Sequence, residues 1–288
     1  MRRTEEVLRE AARVFRASEH IDLARTAKAR ADAEELLEFV LGHRPDPDEP
    51  VPPPALRRFR RLVDRRATGE PVPYMTGRME FMGLTLEVRP GVFVPRVTTE
   101  LMVREALRRL RGRRDGVHVD LATGIGPVAL SVARTLPRVR VFAVDIAPRA
   151  VALARRNARR LGLSNVQFLR GDLFGPLPRS LRGAVDVVTI HPPYVARQEV
   201  RDLADEIKKF EPLESLTDRS PTGLRLLERA VSEAPAWLAP GGWFLVEVSA
   251  DRARQVSGLL RRTGFGEVRS RRGEYPWTRV VVGRRPGR

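Results

Sequence analysis

The chain contains no cysteine, which excludes disulfides, thiolate nucleophiles, iron–sulfur clusters and most structural zinc sites. Histidine is scarce as well. The four, at positions 20, 43, 118 and 191, include no pair at the i, i+3 or i, i+4 spacing of a helical metal site, so no metal is expected. No apolar run reaches the roughly 18 residues of a membrane-spanning helix. The opening residues, Met1-Arg2-Arg3-Thr4-Glu5-Glu6, turn acidic and helical where a signal peptide needs an apolar core, so a soluble, cytoplasmic protein is expected. A monomer is expected as well. Lysine occurs only at 28, 208 and 209, so arginine carries almost all of the formal charge of +17. Such a charge would suit a nucleic acid, through phosphate contacts and counterion release, but a solvated arginine-rich surface of the kind a GC-rich genome encodes is the more economical reading. The arginines are spread over 57–61, 108–111, 155–156 and 261–262 and do not form one block.

What is present is a chain of 288 residues, 42% hydrophobic, enough for a catalytic domain of about 200 residues and a smaller companion. Helical periodicity covers 5–17 and 22–41, with Leu23, Ala27, Ala31, Leu36, Leu37 and Val40 on one face, and resumes over 55–67 after a proline-rich stretch at 45–54. Apolar residues alternate between Tyr74 and Val94, with Gly83 and Pro90-Gly91 as turns, which predicts a β-hairpin. These features set expected boundaries: a helical amino-terminal domain (1–72), a hairpin linker (73–96) and an α/β domain (97–288). After a helix over 99–111, strands at 117–121, 139–144, 166–169, 185–190, 243–248, 264–268 and 279–282 alternate with helices at 127–136, 148–161, 222–238 and 251–263. That order predicts a mostly parallel seven-stranded sheet covered on both faces. The short connection between the last two strands predicts an antiparallel edge strand, and ligands are expected beyond the carboxyl ends of the strands.

Several motifs stand at those ends. Asp120-Leu-Ala-Thr-Gly-Ile-Gly126 follows the first strand and opens a helix, so small residues let a ligand approach backbone N–H groups. Asp145, at the end of the second strand, is placed to accept hydrogen bonds from ribose hydroxyls. A dinucleotide-dependent dehydrogenase shares both features. It does not share Ile190-His191-Pro192-Pro193-Tyr194 after the fourth strand. Two successive prolines stop a strand and leave carbonyls without local partners. The Pro192 carbonyl and the side chain of residue 191 can then hold a planar NH2 group against the flat face of Tyr194.

With these residues the chain resembles the HemK/PrmC family of S-adenosylmethionine-dependent N5-glutamine methyltransferases, which act on the Gly-Gly-Gln glutamine of peptide release factors. The resemblance spans nearly the whole chain: Arg65-Arg66-Ala-Thr-Gly69-Glu70-Pro71-Val-Pro-Tyr74-Met-Thr-Gly77, Phe81-Met-Gly83-Leu, Val94-Pro95-Arg96-Val-Thr-Thr99-Glu100-Leu101, Phe210-Glu211-Pro212 and Leu238-Ala-Pro240-Gly241-Gly242 match its landmarks. It implies a class I methyltransferase, Rossmann-like fold, with S-adenosylmethionine held by Asp120, Ala122, Thr123, Gly124, Ile125, Gly126, Asp145, Ile146, Asp172, Leu173 and His191. It further implies catalytic roles for His191, Pro192, Pro193 and Tyr194, substrate contacts from Arg96, Thr99, Glu100 and Tyr194, and a release factor-like protein docked on the amino-terminal domain. Methyl transfer by in-line displacement needs alignment more than acid–base chemistry, and good alignment can be worth ~7 to 11 kcal/mol.

The sequence also departs from the family. The Asn of the Asn-Pro-Pro-Tyr signature is His191 here. Neutral imidazole retains one acceptor nitrogen and, unlike a carboxamide, can act as a base. The first loop glycine is Ala122, which is expected at negative φ. Two other acceptors share this chemistry: the exocyclic amine of adenine in nucleic acid, and a different acceptor on a diverged paralogue, which could also bind cofactor without catalysis.

Overall fold

Amphipathic periodicity at the amino terminus produces α1 (Thr4–Ala17), α2 (Lys28–Leu41) and α3 (Pro53–Ala67) in a computed structural model that describes residues 2–22, 28–113 and 115–287. Leu23 and Ala27, expected on the second helix, lie outside the described residues. Proline at the first helical positions of α3 is preorganised for helix entry and sacrifices no internal hydrogen bond. The three helices enclose Val7, Phe15, Leu36, Leu37 and Phe59, all buried, each such side chain contributing about 1.5 to 3 kcal/mol of transfer free energy. The expected hairpin is shorter than its alternation suggested. Tyr74 belongs to α4 (Val72–Thr76), which Pro71 and Pro73 start and Gly77 ends in the left-handed region, and only β1 (Arg78–Phe81) and β2 (Leu84–Glu87) pair.

The chain divides into two compact units. One comprises Met1–Met79, Val88–Gly91 and Glu199–Pro212; the other comprises Glu80–Glu87, Val92–Gln198 and Leu213–Arg288. Residues 199–212, a polar stretch carrying the short α8 (Asp205–Lys208), join the first unit through Arg66. That guanidinium is fully buried and donates from Nε to Asp32 at 2.7 Å and from Nη2 to Glu206 at 2.8 Å. Lys28 Nζ adds two contacts to Glu206 at 3.1 Å. Burial pushes Asp32 above the ordinary carboxyl range against the pull of Arg66. For Glu206, burial is outweighed by Lys28 and Arg66, and the group lies below that range.

The second unit opens with a 3-10 turn (Val97–Thr99) and α5 (Glu100–Leu110). It continues β3 (Val117–Leu121), α6 (Pro127–Thr135), β4 (Arg140–Asp145), α7 (Pro148–Arg160), β5 (Val166–Arg170) and β6 (Val185–Ile190). It ends with α9 (Arg225–Trp237), β7 (Leu238–Ser249), α10 (Ala253–Arg262), β8 (Gly266–Arg272) and β9 (Thr278–Arg284). The strands form one sheet in the order β5-β4-β3-β6-β7-β9-β8. Every residue of β3 and β6 is buried, so both faces of the sheet are covered at its centre. The antiparallel strand is not at the edge, as expected from the short connection. β9 inserts between β7 and β8 and runs antiparallel to both, so the edge strand β8 keeps the direction of the majority. β3 has β4 on one side and β6 on the other, which makes the carboxyl ends of β3 and β6 the switch point of the sheet.

Candidate functional site

At that switch point the chain leaves β3 through Ala122, whose φ is +50°. The negative φ expected for this alanine is therefore wrong. The turn is set by the Thr123 N–H, which donates back to the Val144 carbonyl at 3.0 Å, and it forces the left-handed region at a cost of about 1 to 2 kcal/mol. Two glycines in the loop differ in kind. A Cβ on Gly126 would lie 2.8 Å from the Phe168 ring, whereas one on Gly124 would meet nothing within 4 Å. Gly126 is a packing glycine, and Gly124 faces open space. Ile125 and Thr123 are buried beneath the loop.

Asp145 ends β4 with both carboxylate oxygens engaged. Oδ2 accepts the Gly124 N–H at 2.7 Å and Oδ1 the Ala147 N–H at 2.8 Å, which fastens the glycine loop to the neighbouring strand. Burial raises its pKa, opposed by the N–H groups of Ala147, Gly124 and Ile146. The next side chain, Ile146, is 64% exposed, an apolar face beside a carboxylate. Gly171 donates to the Asp145 carbonyl at 3.0 Å, which brings the end of β5 to the same level. Of the two residues that follow, Leu173 is buried at φ +45°, while Asp172 is exposed and paired with Arg229 at 2.7 Å.

Beneath the loop, Asp120 is buried between two hydroxyls. Thr123 Oγ1 donates to Oδ2 at 2.5 Å and Thr189 Oγ1 to Oδ1 at 2.6 Å. Burial pushes the carboxyl up to about 6 against these bonds and the Ala129 N–H. Because the single proton of Thr189 is committed to Asp120, His118 Nε2, 2.8 Å away, must be the donor to Thr189. Burial depresses His118 to about 3, so the ring is neutral with Nε2 protonated. Neither Thr189 nor His118 was singled out in the sequence.

His191 leaves β6 next to this loop. It stacks on Tyr194 (centroids 5.8 Å apart, 18° between planes) and meets the edge of Phe93 at 5.7 Å. Nδ1 lies 3.4 Å from Thr99 Oγ1 and 3.5 Å from Glu247 Oε2. The proline turn is pinned from one side. The Pro193 carbonyl accepts the Asp218 N–H at 3.2 Å and Val195 donates to Leu216 at 3.0 Å, and among the described residues no donor reaches the Pro192 carbonyl. Gly223 is required behind it, because a Cβ there would sit 2.3 Å from the Tyr194 carbonyl oxygen. Of the expected substrate residues, Thr99 reaches His191, Arg96 lies over the Phe93 ring at 4.6 Å, and Glu100 instead pairs with Arg104 along α5 at 2.6 Å. Sequence reasoning missed Glu247. Its signal was a carboxylate inside an apolar strand run, Trp243-Phe-Leu-Val-Glu247-Val, where burial demands a reason.

Residues 6–77 match the PrmC N-terminal domain and residues 83–209 the methyltransferase small domain. The chain is 41% identical over 258 residues to a release factor glutamine methyltransferase of Bordetella pertussis, covering 87% of this chain and 93% of that one. It is 38% identical over 237 residues to the enzyme of the same name from Geobacter sulfurreducens, covering 82% and 81%. Among solved structures, a T. thermophilus 16S rRNA methyltransferase in complex with AdoMet and guanosine superposes with a TM-score of 0.53 at 21% identity, over 72% of this chain and 49% of that one. A Pyrococcus furiosus methyltransferase does so with 0.50 at 20% identity, over 71% and 90%. The likeness to these structures extends to the fold. Identity above 30% along most of both chains extends further, and the protein belongs to the release factor glutamine methyltransferase family.

Proposed function

We propose that this protein methylates the side-chain nitrogen of a glutamine in a peptide release factor, with S-adenosylmethionine as methyl donor. The observation that carries the reading is the adjacency, across the switch point, of an acidic glycine-loop cradle and a proline–tyrosine turn with an open acceptor. Family membership supports the same substrate.

The residues present fit the cofactor. Gly124 faces open space, Ile146 offers an exposed apolar face suited to adenine, and Asp145 retains acceptor lone pairs beside its two backbone donors. Among the described residues no lysine or arginine pairs with Asp120 or Asp145, so the cradle is acidic and suits a cationic ligand. Asp145 would hold the ribose, the 122–126 loop the methionine end, and Leu173 the adenine edge. Bound S-adenosylmethionine supplies a methyl group on a positively charged sulfur. The chain's own contribution is alignment. The Pro192 carbonyl and His191 accept the two amide hydrogens, Tyr194 covers the flat face of the carboxamide, and the nitrogen is thereby aimed into the cradle. The amino-terminal helical unit would dock the protein substrate, with the hairpin as its link to the catalytic unit.

The exposed arginines 57, 58, 60 and 61 of α3 are the feature that keeps a nucleic acid in view as acceptor or docking partner. A tritiated methyl-transfer assay separates the two. Purified protein, S-adenosylmethionine and a cell lysate should give label that survives nuclease, is destroyed by protease and migrates with a release factor. Label removed by nuclease would contradict the proposal.

A further inference from the structure

We infer that Glu247 is a positioning residue that fixes His191 in the tautomer with its proton on Nδ1, so that the bare Nε2 is the acceptor offered to the substrate nitrogen. The inference rests on the glutamine reading above and deepens it.

Register places the two side chains together. Ile190 of β6 pairs with Val246 of β7, so His191 and Glu247 are the next residues at the same level of two adjacent parallel strands. Glu247 is 1% exposed. One oxygen is satisfied, since Thr98 Oγ1 donates to Oε1 at 2.9 Å. The other, Oε2, has no hydrogen-bond partner among the described residues and lies 3.5 Å from His191 Nδ1. A carboxylate is acceptor-only, so a bare Nδ1 would set lone pair against lone pair beside the buried Oε2, whereas Nδ1–H brings a donor to within 3.5 Å of the unsatisfied oxygen. Thr99 Oγ1, at 3.4 Å, can accept from Nδ1–H or donate to a bare Nδ1, so the acceptor-only carboxylate is the group that decides between the tautomers. The stack on Tyr194 and the edge of Phe93 hold the ring plane, so the choice of tautomer decides what the far nitrogen presents. With the proton on Nδ1, Nε2 accepts an amide N–H and can take the proton that the nitrogen loses on methylation. With the proton on Nε2, two N–H groups would face each other and the substrate would be repelled. Asparagine at 191 has no tautomer to choose, so a need for Glu247 in this role belongs to the histidine.

The test is nitrogen-15 NMR of the full chain labelled at histidine, with the His191 signals assigned by their loss in His191→Asn. At neutral pH the free protein should show a protonated Nδ1 and a bare Nε2 at residue 191. Glu247→Gln, of nearly the same shape but able to present an NH2 group, should move the equilibrium toward Nε2–H. It should lower kcat/KM on a release factor about tenfold or more in the parent and less than about twofold in the His191→Asn background. A bare Nδ1 or a doubly protonated ring in the parent, or equal losses in the two backgrounds, would overturn the inference. The spectra of the parent and of His191→Asn require no substrate. A protein that does not methylate release factors would therefore defeat the glutamine reading while the tautomer is still decided.

Discussion

In the helical unit the buried carboxylates Asp32 and Glu206 face cations, Arg66 and Lys28, at 2.7 to 3.1 Å; in the sheet unit Asp120 and Asp145 face only hydroxyls and backbone N–H groups. The same chemical group thus serves two purposes. Where a carboxylate is neutralised by a guanidinium, its charge is consumed in joining α3 to residues 199–212, and nothing remains for a ligand. Where neutral donors satisfy it, the negative charge stays uncompensated at the strand ends and can be met by a cationic ligand. That contrast, more than the acidity of any single residue, separates carboxylates consumed in holding the fold from those the proposed cofactor site would use.

Arg66→Met should leave two buried carboxylates without their shared partner and cost about 3 to 5 kcal/mol in urea unfolding. A loss within the range of an exposed arginine would mean that the cluster is not structural. The sheet unit should respond to pH instead. His118 is held near 3 and has an ordinary value of 6.5, so on acidification the unfolded chain takes up a proton that the folded chain refuses, and stability falls as pH drops below about 6.5. Asp120, raised to about 6, acts with the opposite sign: its folded form keeps a proton that the unfolded chain releases above about 4, so it adds stability as pH falls through 6. His118→Leu removes the first effect and keeps the second. Relative to its value at pH 7, its stability at pH 4 should exceed that of the parent by about 3 kcal/mol. Parallel pH profiles in the two proteins would contradict the buried neutral histidine.

Smaller effects sharpen the contrast within the site. Asp145→Ala should weaken S-adenosylmethionine binding by roughly 1.5 to 3 kcal/mol in calorimetry, through the lost ribose acceptor and the released Gly124 loop. Unchanged affinity would remove Asp145 from the cradle. Ala122→Gly should gain about 0.5 to 1 kcal/mol in thermal unfolding by relieving the left-handed alanine. Destabilisation would show that the alanine methyl packs favourably enough to outweigh its φ.

Much of this was legible in the sequence because it depends on local pattern. β3 and β6 are fully buried strands in which β-branched and apolar residues predominate around His118, Asp120 and Asp186, and their bounds were read correctly at both ends. Asp120, Asp145 and His191 each stand where a strand stops, so the topology brought them together once the strand order was fixed. What was not legible depends on distant partners. β9 enters the sheet between β7 and β8, a choice that short connections do not encode. The polar stretch 199–212 has no periodicity of its own and takes its place through Arg66. Ala122 is driven to positive φ by a hydrogen bond to the next strand, which overrides the preference of its side chain. Glu247 acquires meaning only from the register that sets it beside His191.

The most direct test of the account is peptide mass spectrometry of a purified release factor after incubation with this protein and S-adenosylmethionine, with His191→Asn in parallel. One methyl group is expected on the side-chain nitrogen of the Gly-Gly-Gln glutamine, with both proteins. An unmodified glutamine with the parent enzyme, while the asparagine variant methylates it, would contradict the claim that His191 serves as the acceptor in this family's reaction.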